Sequence, residues 1–143
     1  MTDLSRSSAL LGDKAMALLS SAKVAIVGVG GVGGWCAEAL ARTGVGHIAI
    51  FDDDTVMPSN SNRQCAATCN TIGQPKVFAM RERLMAVNPD VKVEAFYERW
   101  PADRFSARDI SSYDCVVDAI DSVDSKASLI ITALDTHVPI VSS

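Results

Sequence analysis

Apolar positions along the chain fall into two periods. Short strand-like segments occupy Lys23–Val27, a nearly continuous apolar run, and His47–Phe51, Val91–Phe96, Asp114–Ile120 and Val138–Val141. All five are predicted as strands, the first of them covered on both faces. Between them the spacing turns helical. Leu11, Ala15, Leu18 and Leu19 mark a helix over Leu10–Ser20, and Trp35–Arg42 forms a second, closed by Thr43-Gly44. Val77, Met80, Leu84 and Val87 mark a third over Gln74–Val87, which Asn88-Pro89 stops. Pro101–Ile110 is predicted as another, and Val123, Ala127, Ile130 and Leu134 set the stripe of the last. Strands alternating with helices of this length predict βαβ units, an α/β fold with a doubly wound, mainly parallel sheet. No repeat or linker divides residues 1–143, so one domain is expected. The apolar run at Pro139–Ser143 predicts a fold truncated after its fifth strand.

Composition narrows the class. A 143-residue chain with 48% hydrophobic and 21% charged residues has the material for a folded core, which excludes general disorder. No apolar run reaches the roughly 20 residues of a membrane-spanning helix, and the polar start is unlike a signal peptide. The net charge of −4 offers no global basic field for nucleic acid. Cys36, Cys65, Cys69 and Cys115 are too few and scattered for a disulfide framework. Cys65 and Cys69 supply only half of a zinc site. A reducing cytoplasm is the expected compartment.

The chemistry begins at Gly28-Val29-Gly30-Gly31-Val32-Gly33, which follows a strand and opens a helix. In that context the glycines allow a tight turn and close approach of phosphate oxygens to a positive helix end. Asp52 stands 19 residues after Gly33, at the end of the second strand, where a carboxylate accepts ribose hydroxyls. Asp53 and Asp54 read as solvated loop charges, with Asp54 a candidate turn cap. The fold is thus Rossmann-like, with a nucleotide at its crevice.

The glycine loop suits NAD and ATP equally. A triphosphate needs fixed cations and donors beyond that loop, whereas a nicotinamide half does not. Arg63 supplies a planar fork and Lys76 a point charge, both between the second and third strands. Read singly, each is better taken as a solvated surface residue. Taken with Asn60 and the glycine loop, they favour ATP. Asp121, leaving the fourth strand across the switch point, suits either a magnesium ligand or a helix cap.

These segments together carry a resemblance. The glycine loop, Asp52-Asp53-Asp54-Thr55-Val56, Ser59-Asn60-Ser61-Asn62-Arg63-Gln64, Lys76 and Asp118-Ala119-Ile120-Asp121 match in order nearly the whole chain. They resemble the adenylation domain of the ThiF/MoeB/HesA, ubiquitin-activating-enzyme-like superfamily. Within it, Ser5-Arg6, Leu40–Gly46 and Asp118–Ser122 with Lys126-Ala127 are most similar to the tRNA threonylcarbamoyladenosine dehydratases.

The resemblance implies ATP and Mg2+ as cofactors. It implies that Gly28, Gly30, Gly31 and Gly33 shape the phosphate loop and that Asp52 binds ribose. Asn60, Arg63, Gln64 and Lys76 then engage the nucleotide, Asp121 holds magnesium, and Arg6 reaches the partner's site in a homodimer. Read alone, Arg6 is a solvated charge on a terminus. The implied reaction is adenylation of a carboxylate, in this subgroup the threonylcarbamoyl group on a tRNA adenosine, followed by cyclising loss of water. Activation of a ubiquitin-like sulfur carrier, an NAD-dependent oxidoreductase and an inactive nucleotide-binding fragment are the competing readings. A sulfur-transfer protein is a further implied partner. Related proteins run about a hundred residues further, so no nucleophilic cysteine is assigned.

Overall fold

In the computed structural model, residues 2–101 and 110–143 are described. Two short helices lead in, α1 (Ser5–Leu11) and α2 (Asp13–Ser21). They are followed by β1 (Lys23–Val27), α3 (Gly33–Thr43), β2 (His47–Phe51) and α4 (Lys76–Val87). The chain closes with β3 (Lys92–Phe96), β4 (Cys115–Asp118), α5 (Val123–Asp135) and β5 (Ile140–Ser142). A single turn of 3-10 helix at Pro58–Asn60 interrupts the long connection from β2 to α4.

The five strands are all parallel and run β3-β2-β1-β4-β5. Pairing of the first strand with the second and the fourth brings Val27 level with both Phe51 and Asp118. The strands at the centre therefore end together, and the order reverses between β2-β1 and β1-β4. Alternation along β1 and β2 feeds two separate cores. Ile26, Ile48 and Ile50 pack with Ala37, Ala41, Met80 and Leu84 of α3 and α4. Ala25, Val27, Ala49 and Phe51 pack on the opposite face with Leu129 and Ala133 of α5. The result is the expected doubly wound α/β sandwich.

Three expectations need correction. The lead-in helix is two helices, broken at Gly12, where φ is +81°. The stripe of α5 is turned. Ser125, Leu129 and Ala133 are buried, whereas Val123 and Leu134 are 77% and 64% exposed. Third, β5 begins two residues later than the apolar run, at Ile140. The helix expected over Pro101–Ile110 falls largely on residues 102–109, outside the described residues.

Candidate active site

A cavity of about 420 Å³ opens at the carboxyl ends of β1, β2 and β4, above the reversal in strand order. Such a crevice is where open α/β sheets hold ligands. The chain leaves β1 through Gly28 at φ +92°, where an added Cβ would strike the Ala119 carbonyl of the neighbouring β4 exit. Gly33 seats α3 against the same turn, because a Cβ there would overlap the Gly28 carbonyl oxygen. Gly30 and Gly31 line the cavity beside Gly28. A Cβ at either would meet only side chains at 3.6 Å, those of Gln64 and Arg63. Space there is left for a ligand, and no side chain caps the N-terminal end of α3.

Asp52 ties the loop to the second strand. Its Oδ2 accepts the Val29 N–H at 2.8 Å and its Oδ1 the Asp54 N–H at 2.9 Å. Burial raises its pKa above the usual carboxylate value, against the lowering effect of those two N–H bonds and of the Lys76 charge. Carboxylate acceptor capacity remains for a ribose hydroxyl.

Lys76 opens α4 and is buried, with its Nζ 2.8 Å from Asp54 Oδ2. The Lys76 N–H also donates to the Asp54 carbonyl at 2.9 Å, and Thr55 bridges Pro75 antiparallel. Asp54 is thus the counter-ion that holds Lys76 at the cavity, a role the reading of a solvated loop charge missed. Arg63 lines the cavity, its stem running past Gly31. Its Nη1 donates to the Ser59 carbonyl at 3.2 Å and to Asn62 Oδ1 at 3.1 Å. Gln64 is buried and lines the same wall.

Asp121 lines the cavity and is exposed. The N-cap position of α5 belongs to Ser122, without a side-chain cap bond, so the capping alternative for Asp121 is not realised. Asn60 lies apart from the others. It is buried, outside the cavity lining, and its Oδ1 accepts the Met57 N–H at 2.8 Å to close the 3-10 turn. Its amide shapes the loop that carries Arg63. Arg6 stands exposed on α1, away from its own chain's cavity.

Other wall residues had no clear signal in the sequence. Glu98 and Arg99, just past β3, line the cavity. Fully buried Asp118 pairs with Lys126 Nζ at 2.6 Å and accepts Ser142 Oγ at 2.7 Å and the Ile120 N–H at 3.1 Å. This network fixes the turn that presents Asp121. An apolar strand ending in Asp was the available hint. The cysteines are all free. Burial pushes the Cys36, Cys65 and Cys115 thiols up, the opposite of nucleophile activation.

The ThiF family model matches residues 4–143. The chain is 40% identical over 134 residues to the tRNA threonylcarbamoyladenosine dehydratase of Escherichia coli K12, covering 94% of this chain and 50% of that protein. The Bacillus subtilis protein of the same name is 38% identical, at 97% and 55% coverage. Molybdopterin-synthase adenylyltransferase of Salmonella typhimurium is 34% identical over 87% of this chain and 49% of its own length. Among solved structures, the E. coli dehydratase in complex with ATP superposes with a TM-score of 0.88 at 37% identity. That match covers 97% of this chain and 57% of that one. The chain thus spans about half the length of the curated relatives it matches.

Proposed function

The chain belongs to the ThiF family, and from that premise we propose that it carries the ATP-binding half of a tRNA threonylcarbamoyladenosine dehydratase. The observation that carries the reading is the convergence of Arg63 and Lys76 with the Gly28–Gly33 turn and Asp52 on one cavity. Dinucleotide binding would not call for two cations beside the glycine loop. The similarity to an ATP-bound dehydratase supports the same choice.

In this reading, ATP lies along the sheet's carboxyl edge. Asp52 accepts the ribose hydroxyls, and Gly30 and Gly31 leave the phosphates room against the loop. A carboxylate oxygen of the substrate attacks the α-phosphorus, the bond to the β,γ-unit breaks, and pyrophosphate leaves from an acyl-adenylate. Negative charge grows on the leaving oxygen, where the Arg63 fork and the Lys76 ammonium stabilise it. No base is needed, since the attacking carboxylate is ionised at neutral pH. The activated carbonyl is then captured within the same side chain, and AMP departs as the ring closes.

Magnesium fits the donor set, because Asp121 presents an exposed, hard oxygen ligand at the cavity. When bound, the ion would neutralise part of the phosphate charge. Five carboxylates (Asp52, Asp53, Asp54, Glu98, Asp121) face three cations (Arg63, Lys76, Arg99) there, which leaves that demand open. Arg6 of a second copy in a homodimer would answer it further. Among the described residues no helix is long and apolar enough to cross a membrane. The free cysteines suit the cytoplasm, where the tRNA would be met.

The test is ATP–pyrophosphate exchange with Mg2+, comparing tRNA bearing threonylcarbamoyladenosine with the unmodified tRNA. Exchange that requires the modified tRNA is expected. Exchange that instead requires a small protein ending in Gly-Gly would move the chain to sulfur-carrier activation. Tight NADH binding with indifference to ATP would overturn both readings. A cooperatively folding chain without ATP affinity would leave an inactive fragment.

A further inference from the structure

We propose that Trp35 is a positioning residue for the phosphate-binding guanidinium of Arg63. The inference rests on the proposed role of Arg63 and adds a part of the molecule that no wall of the cavity includes.

Arg63 sits in an exposed turn between the 3-10 helix and α4, a poor place from which to aim a long side chain. Its own side-chain bonds go to Ser59 and Asn62, both within that turn. Arg63 itself is tied to a rigid element by Trp35, whose Nε1–H donates to the Arg63 carbonyl at 2.9 Å. Trp35 lies in the first turn of α3, two residues after Gly33, so its backbone is fixed by the same packing that forms the glycine loop.

The indole is held in turn. The Arg83 guanidinium of α4 lies 6.0 Å from the centre of its ring, within cation–π range. Arg83 is itself anchored by the buried Glu38 carboxylate of α3, with Nε 2.5 Å from Oε2. A chain of contacts therefore runs from a buried acid, through a cation and an aromatic ring, to the backbone of the residue that meets phosphate. A tryptophan 51% exposed gives up burial to stand there. The hydrogen bond and the contact with Arg83 hold the half-exposed indole in place.

Trp35→Phe removes the N–H donor and keeps a ring beneath Arg83. Equilibrium binding to the 143-residue chain should then show ATP affinity lowered about three- to tenfold, the range of one lost hydrogen bond. Adenosine affinity should stay within about twofold, because adenosine is held through Asp52. In the Arg63→Ala background the same substitution should cost almost nothing more. Equal loss for ATP and adenosine would make Trp35 merely structural, and unchanged ATP affinity would overturn the proposal. If Arg63→Ala itself leaves ATP binding intact, the phosphate role of Arg63 fails first. A chain with no affinity for ATP removes both.

Discussion

Lys76 shows how far a residue's role depends on what the fold brings to it. As a bare sequence position it could be a solvated lysine on a helix. The structure makes it a nearly buried ammonium whose partner, Asp54, stands 22 positions earlier and is itself largely exposed. Arg63, by contrast, is exposed, and its guanidinium bonds only within its own turn, to Ser59 and Asn62. The two should therefore separate on substitution. Arg63→Ala is expected to lower ATP affinity at least tenfold with stability unchanged within about 0.5 kcal/mol, as for an exposed position. Lys76→Ala should lower affinity similarly and also cost about 1–2 kcal/mol, since the buried stem and the ion pair are lost together. Urea titration beside calorimetric ATP binding checks both, and a stability loss confined to Arg63→Ala would reverse the assignments. The places of Asp52 and the glycines at the strand ends were legible because they follow from local sequence, whereas Lys76 read alone suited a solvated position. Asp54 was not legible, because its pairing is made by the Thr55–Pro75 bridge.

Elements were legible where charged residues punctuate the helix between its core positions, as Arg81, Glu82 and Arg83 do in α4. In α4, Val77, Met80 and Leu84 sit in the core as their spacing predicted. In α5, apolar residues surround the axis, so period alone could not say which side meets the sheet, and the wrong stripe was chosen. The clamp between α3 and α4 was hidden for a different reason, since its members are charged. Glu38 is buried and accepts Arg83 at 2.5 Å and Arg42 at 2.6 Å. Its pKa is lowered from 4.5, first by the Arg83 hydrogen bond and then by Arg42, against burial. A lowered folded-state value adds stability above the unfolded value, and that stability is lost as pH falls through the folded one. Glu38→Gln should therefore cost about 2–3 kcal/mol at pH 7. The difference from the parent chain should shrink below pH 4.5. Urea midpoints across that range check it, and a pH-independent difference would assign the effect to packing.

At the scale of the molecule, the topology followed from the alternation of strands and helices, and the switch point between β1 and β4 placed the cavity. Sequence did not show the charge balance around it, because Glu98 and Arg99 enter only through the position of β3. A site with more carboxylates than cations calls for positive charge from elsewhere, and in the proposed homodimer the exposed Arg6 of a second copy would supply it. Mixing Arg6→Ala and Arg63→Ala chains should restore part of the exchange activity that each lacks, since one site per mixed dimer would be intact. No recovery in such mixtures would leave Arg6 without a role across the dimer.

The four loop glycines also divide into two kinds. Backbone crowds the missing side chains at 28 and 33, while at 30 and 31 nothing in the protein objects to a methyl group. A mutant library screened only for a folded, protease-resistant product should thus purge changes at the first two and let the others drift. Screening the same library on immobilised nucleotide should freeze all four, so the gap between the two survivor sets would outline the bound phosphates without a crystal.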